Sequence, residues 1–400
     1  MIATPASLPR QRDYRLDFFR GLALLFIFLN HIPGNAVSWI TNKHFGISDA
    51  TEIFVFVSGY AAAIAYSKYA FDKGMWPATK RILRRAWDIY VAHILLFLSL
   101  AVMAIWVLRC HQDIEFLAHT NILTFLVDPP MALLETLLLG YRPLNMDVLP
   151  MYVVILLAFP LGLWGLMRHP LKTMAVSAGL WLAVGAFDIN LMRYPAGVWY
   201  FNPFAWQFLF MLGAFISLYP QVLYRVNQHE GKLQAAAILY LLFGLYLAAT
   251  FQWPEAVPAL PPFLHDLIHP IDKTNLDVLR ILHFLAAAYL VSRWVSPDSS
   301  FVKSSLAAPI VVTGQHSLPI FGVGILLSFT GHWILTNLDA SLQTQFVISI
   351  VGIGFMVGLA EVLSQYASYQ RRQAKGGQAQ PARPAKAKTA IIARESYNTR

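Results

Sequence analysis

Arg20 and His31 are the first side chains in this sequence that could do chemistry as a pair. An imidazole can take a proton from a hydroxyl near neutral pH. A guanidinium can hold a phosphate or carboxylate through paired N–H groups. The two positions are eleven residues apart. On a helix they return to one face at about 100° per residue, roughly 16 Å apart along the axis. That geometry suits a donor whose anionic end stays near Arg20 while its reactive end reaches His31. A snorkelling arginine and a histidine satisfied by a neighbouring helix would give the same pattern.

Further along, Asp49, Thr51 and Glu52 precede Ser58 and Tyr60. A carboxylate facing an imidazole would set its tautomer and raise its basicity, which makes Glu52 the candidate partner of His31. Asp49 or Thr51 also suits a helix cap. Ser58 and Tyr60 are hydroxyls that could steady an oxyanion, although Ser58-Gly59 equally suits close packing of small residues. Arg81, Arg84 and Arg85 fall at i, i+3 and i+4 beside Lys80, so a helix would put the three arginines on one face. They are candidates for the phosphates of a donor, or for a positively charged membrane anchor. Tyr90 and His93 continue along the same stretch.

The second half adds Lys273, then Asp277, Arg280 and His283 at i, i+3 and i+6, and His316 within Gly314-Gln315-His316-Ser317. Lys273 and Arg280 could receive a carboxylate carried on the donor's acyl group. His316 offers a second imidazole. His265 and His269 have the i, i+4 spacing of a metal pair, but prolines flank them and no third ligand is evident, so no metal is expected.

The elements that must position these groups are membrane helices. The chain of 400 residues is 57% hydrophobic and 13% charged, well below the roughly 25% charged residues of soluble domains. Ten apolar stretches approach the about 20 residues a span requires: 16–34, 51–69, 86–108, 148–167, 171–188, 204–218, 233–251, 277–295, 310–330 and 346–365. The stretch 114–140 is broken by Asp128-Pro129-Pro130 and reads as one or two interfacial or re-entrant pieces. The expectation is an all-α, polytopic transmembrane bundle of about ten helices with both termini cytoplasmic. It comprises one membrane domain over 1–370 and a disordered basic tail over 371–400.

Charge agrees with that topology. With the N-terminus inside, twenty-four of the thirty Lys and Arg residues fall on the cytoplasmic side, and Lys43, Arg109, Arg142, Arg193, Lys273 and Arg280 fall outside. The net charge of +9 is therefore explained without nucleic acid. The polar, basic first 15 residues and the lack of an A-x-A site predict no cleaved signal. Cys110 is the only cysteine, which excludes an intrachain disulfide. No GxxxxGK[ST] or G-x-S-x-G motif is present.

These motifs, in this order, resemble a known family. Arg20 and His31 match the Arg-x10-His pattern of the membrane acyltransferase-3 superfamily. Thr51-Glu52-Ile53-Phe54-Val55-Phe56-Val57-Ser58-Gly59-Tyr60 is similar to its Asp-Leu-Phe-Phe-x-x-Ser-Gly-Phe stretch, with Glu52 for Asp and Tyr60 for Phe. Arg81-x-x-Arg84 resembles its Arg-x-x-Arg motif. More narrowly, the chain resembles the OpgC family over roughly 12–365. The carrying stretches are Arg12 to Gly21, Phe45-Gly46-Ile47-Ser48-Asp49-Ala50, Asp147-Val148-Leu149-Pro150, Asn202-Pro203-Phe204-Ala205-Trp206-Gln207, Asp272-Lys273-Thr274-Asn275-Leu276 and Gly314-Gln315-His316-Ser317-Leu318.

The resemblance implies succinyl transfer from cytosolic succinyl-CoA to hydroxyls of a periplasmic β-glucan, in the inner membrane of a Gram-negative bacterium. In that scheme Arg20, Arg81, Arg84 and Arg85 hold the acyl-CoA. His31 acts as base with Glu52, Ser58 or Tyr60 steadies the oxyanion, and Asp49, Lys273, Arg280 or His316 contact the acceptor or the acyl carboxylate. The competing expectation is a transporter or flippase of a glycan or acyl precursor that makes no covalent bond.

Overall fold

The computed structural model describes residues 13–143, 145–222, 229–258 and 260–376. Among them the chain is all-α, and its only extended pairing is a bridge between Met192 and Val198. Among the described residues, seven helices are long and apolar enough to cross a membrane.

The first helix, α1 (Tyr14–Asn30), starts at Asp13, whose carboxylate accepts the Arg15 N–H, and stops before the apolar run does. Pro33 disfavours helix at Ile32, and Gly34 adopts a φ of +74°. His31 thus caps α1, its N–H donating to Ile27 O at 3.0 Å. Two 3-10 turns, Ala36–Ile40 and Asn42–His44, lead to α2 (Ala50–Lys73). After Gly74 comes α3 (Met75–His111), of 37 residues. The broken stretch 114–140 forms three short helices, α4 (Ile114–His119), α5 (Leu123–Val127) and α6 (Pro129–Leu137).

There follow α7 (Val148–Arg168), α8 (Pro170–Phe187), α9 (Pro203–Leu218), α10 (Glu230–Gln252), the short α11 (Pro262–Ile268) and α12 (Val278–Trp294). The stretch 310–330, expected as one span, is two helices, α13 (Ala308–Gln315) and α14 (Ser317–Asn337), broken at His316. Pro319 explains the break. It has no N–H for the Gln315 carbonyl, and its ring would collide with that carbonyl in a continuous helix. The last helix, α15 (Leu342–Gly376), takes in 371–376, the start of the expected tail. The rest of the tail, 377–400, lies outside the described residues.

Small residues let the central helices touch backbone to backbone. A Cβ on Gly59 of α2 would strike the Phe210 carbonyl of α9, and one on Gly213 of α9 would strike the Phe56 carbonyl of α2. The same reciprocity joins α1 and α13, with Gly21 against Ile310 O and Gly314 against Asp17 O. Around this centre, large apolar side chains such as Trp87, Val102, Leu161, Leu182 and Val351 point outward and exposed. A belt of that kind is at home in lipid, not water.

Candidate functional site

Two cavities lie along α1 and α2. The larger, about 540 Å³, is lined by Ile27 and His31 at the end of α1, by the segment Gly46–Thr51 entering α2, and by Val148 of α7. The smaller, about 240 Å³, is lined by Arg20 of α1, Phe54 and Ser58 of α2, and Leu149 and Tyr152 of α7. They share no lining residue, yet Val148 and Leu149 are consecutive, and Ala50 and Phe54 are one helical turn apart. Phe54 stands at this junction, stacked on Phe321 and edge-on to Tyr152.

The larger cavity is built on a capping box. Asp49 accepts the Thr51 N–H through Oδ1 at 2.8 Å, and Glu52 accepts the Asp49 N–H through Oε2 at 2.8 Å. Each carboxylate keeps its second oxygen for a cation. Asp49 Oδ2 lies 2.5 Å from Lys273 Nζ, and Glu52 Oε1 lies 2.6 Å from Arg280 Nη2. Burial works against the Lys273 charge, but Asp49 and then Glu52 outweigh it and hold the ammonium above its ordinary value. Glu52 therefore faces Arg280 and the helix start, where sequence reasoning had aimed it at His31. The His31 Nδ1 is buried without a hydrogen-bond partner.

Lys273 is held in place by its neighbours. Asp272 accepts the Thr274 N–H and the Asn275 amide, each at 2.7 Å. Trp206 Nε1 donates to the carbonyls of Lys273 and Thr274, and Asn202, the cap of α9, donates to Asn275 Oδ1 at 2.8 Å. The stretches 202–207 and 272–276, remote in sequence, are thus one clamp.

With Lys273 and Arg280 occupied, two other cations on the cavity wall make no ion pair among the described residues, Lys43 and Arg193. Sequence reasoning placed both outside without giving either a role. The fold brings both to the cavity that His31 lines. Tyr200 and Phe201 add aromatic faces to the same wall. Behind it, Arg142 is buried against Trp199 at 4.2 Å, with Asp147 at 3.4 Å. Burial pulls its guanidinium down to about 10, which leaves it charged at neutral pH.

In the smaller cavity Arg20 donates to Val57 O at 3.4 Å and lies 3.8 Å from Asp17. Arg85 and Ser317 line the same space. Of the other arginines, Arg81 stacks over Tyr69 at 5.0 Å and Arg84 is exposed. Ser58 belongs to this cavity and not to the one around His31, while Tyr60 lines neither. His316 lines neither cavity and marks the break before Ser317. His265 and His269 stack ring on ring at 4.4 Å.

The arrangement offers a cationic chamber at the Arg20 end of α1, and at the His31 end a chamber with an imidazole, aromatic walls and two cations that make no ion pair among the described residues. No curated protein matches the chain. The family model described as OpgC protein matches residues 12–368, and the chain belongs to that family, which points to an acyltransferase held in a membrane.

Proposed function

We propose that the protein is an O-succinyltransferase. It moves a succinyl group from succinyl-CoA on the cytoplasmic side to hydroxyls of a β-glucan on the periplasmic side of a Gram-negative inner membrane. The observation that carries this reading is the stacking of the two cavities along α1 and α2, arginines in one and His31 in the other. Both termini are cytoplasmic in this scheme, so the Arg20 cavity faces the donor.

Arg20 and Arg85 hold the donor's phosphates, with Arg81 and Arg84 on the approach. The pantetheine arm passes Ser58 and Tyr152 and turns past Phe54. Lys43 and Arg193 receive the succinyl carboxylate, because Lys273 and Arg280 already have acidic partners. A glucosyl hydroxyl enters along Tyr200 and Phe201. His31 removes its proton as the oxygen attacks the acyl carbonyl, and the thiolate of CoA leaves. The thioester is an activated donor, so no other energy source is required.

The test is succinyl incorporation into glucan by membranes carrying His31→Ala. A loss of about 10²-fold or more is expected for removal of a general base, with thermal unfolding unchanged. An active, folded His31→Ala protein sinks the assignment. The break at His316 favours a second reading, a carrier without covalent chemistry, because interrupted helices line substrate paths in transporters. A carrier would move labelled donor or glycan and yield no ester.

A further inference from the structure

Ser48 and His283 form a pair that the mechanism above does not use. The Ser48 hydroxyl lies 2.7 Å from His283 Nδ1, across 235 residues of sequence. Ser48 also lines the larger cavity together with His31. His283 stands in a slot cut for it by two glycines from separate elements. A Cβ on Gly46, in the loop before α2, or on Gly244, in α10, would run into the imidazole ring. The ring is thereby fixed with one nitrogen on the serine and the other, Nε2, buried without a partner. A hydroxyl in hydrogen-bond contact with an oriented imidazole, on the wall of a substrate chamber, is the arrangement of an activated oxygen nucleophile. Two and three residues further on, Ala50 and Thr51 line the same cavity, so the serine stands on the chamber wall beside the start of α2.

We infer that Ser48 is a nucleophile that carries the acyl group between donor and acceptor, with His283 as its base. The inference rests on the succinyl-transfer reading above and divides that reaction into two steps. In the first, Ser48 Oγ attacks the thioester carbonyl while its proton passes to His283 Nδ1. The C–S bond breaks, and the imidazolium returns the proton to the departing thiolate, leaving free CoA and an oxygen ester on Ser48. In the second, a sugar hydroxyl gives its proton to His31 and attacks that ester. The C–O bond to Ser48 breaks, and Ser48 Oγ recovers a proton from the His31 imidazolium. No oxidant, reductant or further reactant is consumed. The division has a physical use in a membrane, because donor and acceptor enter from opposite sides and never have to occupy the chambers together.

The experiment uses the full-length protein in lipid nanodiscs, mixed with succinyl-CoA without acceptor, quenched rapidly, digested and read by mass spectrometry, with thiol release followed in parallel. The expected result is a burst of free thiol together with a succinyl mass on Ser48. Both should be lost in Ser48→Ala and retained in Ser48→Cys, which keeps a nucleophile and guards against misfolding. His283→Asn keeps a hydrogen-bonding group without a base and should slow the burst by about 10²-fold or more. Wild-type protein that forms glucan ester with no adduct, alongside an active Ser48→Ala, overturns the acyl-serine and leaves direct transfer standing. Wild-type protein that releases no thiol and forms no ester with glucan present overturns the succinyl-transfer reading, and the acyl-serine with it.

Discussion

Asp49 and Glu52 divide their carboxylate oxygens in the same way: one oxygen of each closes the start of α2, and the other meets a cation from a distant part of the chain. The first turn of one helix thereby fixes Lys273 and Arg280 at the wall of the larger cavity. Glu52 and Arg280 are both buried, so each depends on the other for compensation of its charge.

Glu52→Gln should therefore act chiefly on stability. Removing one member of a buried pair costs about 3–5 kcal/mol, and the capping contact is weakened with it. Thermal unfolding of the solubilised protein is the measurement, and Glu52→Gln combined with Arg280→Met should recover part of the loss. Equal stabilities for wild type and Glu52→Gln would show that the pair is not needed for folding.

Lys273 sets an alkaline limit. Its ammonium is held above the ordinary value of 10.5 in the folded chain. Its contribution is therefore complete below pH 10.5 and is lost as pH climbs through the higher folded value. Melting temperatures measured on either side of pH 10.5 should fall more steeply for wild type than for Lys273→Met.

The two cationic neighbours on α3 should separate. Arg85 lines the smaller cavity and Arg84 is exposed. Arg85→Gln should raise the KM for succinyl-CoA by about tenfold or more, as expected for loss of a charge-assisted contact. Arg84→Gln should change it little at moderate salt, where exposed charges are screened. Steady-state kinetics over a salt series distinguishes the two.

Lys43 and Arg193 should govern which acyl group is used. Replacing both with Gln removes the wall cations that make no ion pair among the described residues, while Lys273 and Arg280 keep their acids. Transfer from succinyl-CoA should then drop by about tenfold or more relative to transfer from acetyl-CoA, which has no carboxylate to hold. An unchanged ratio would remove these residues from acyl recognition.

Much of the fold was legible in the sequence because membrane helices announce themselves by length and polarity alone. Nine of the ten apolar stretches correspond to single helices; Arg20 on α1 lines the smaller cavity, and His31, just past the helix end as its cap, lines the larger. Asp49 was legible as a cap for the same reason, since capping is decided within a few residues. The break at His316 is encoded locally by Pro319, inside an apolar run whose length alone reads as one span.

Tertiary structure alone decided the partners. Whether Glu52 faces His31 or Arg280, whether Ser58 or Ser48 shares a chamber with His31, and which wall cations meet an acid all depend on how helices far apart in sequence rotate against one another. The reciprocal glycines between α2 and α9 and between α1 and α13 show why. Small residues permit a close approach, but the register of that approach is set by both surfaces at once. A periodicity read along one strand of sequence holds only one of the two.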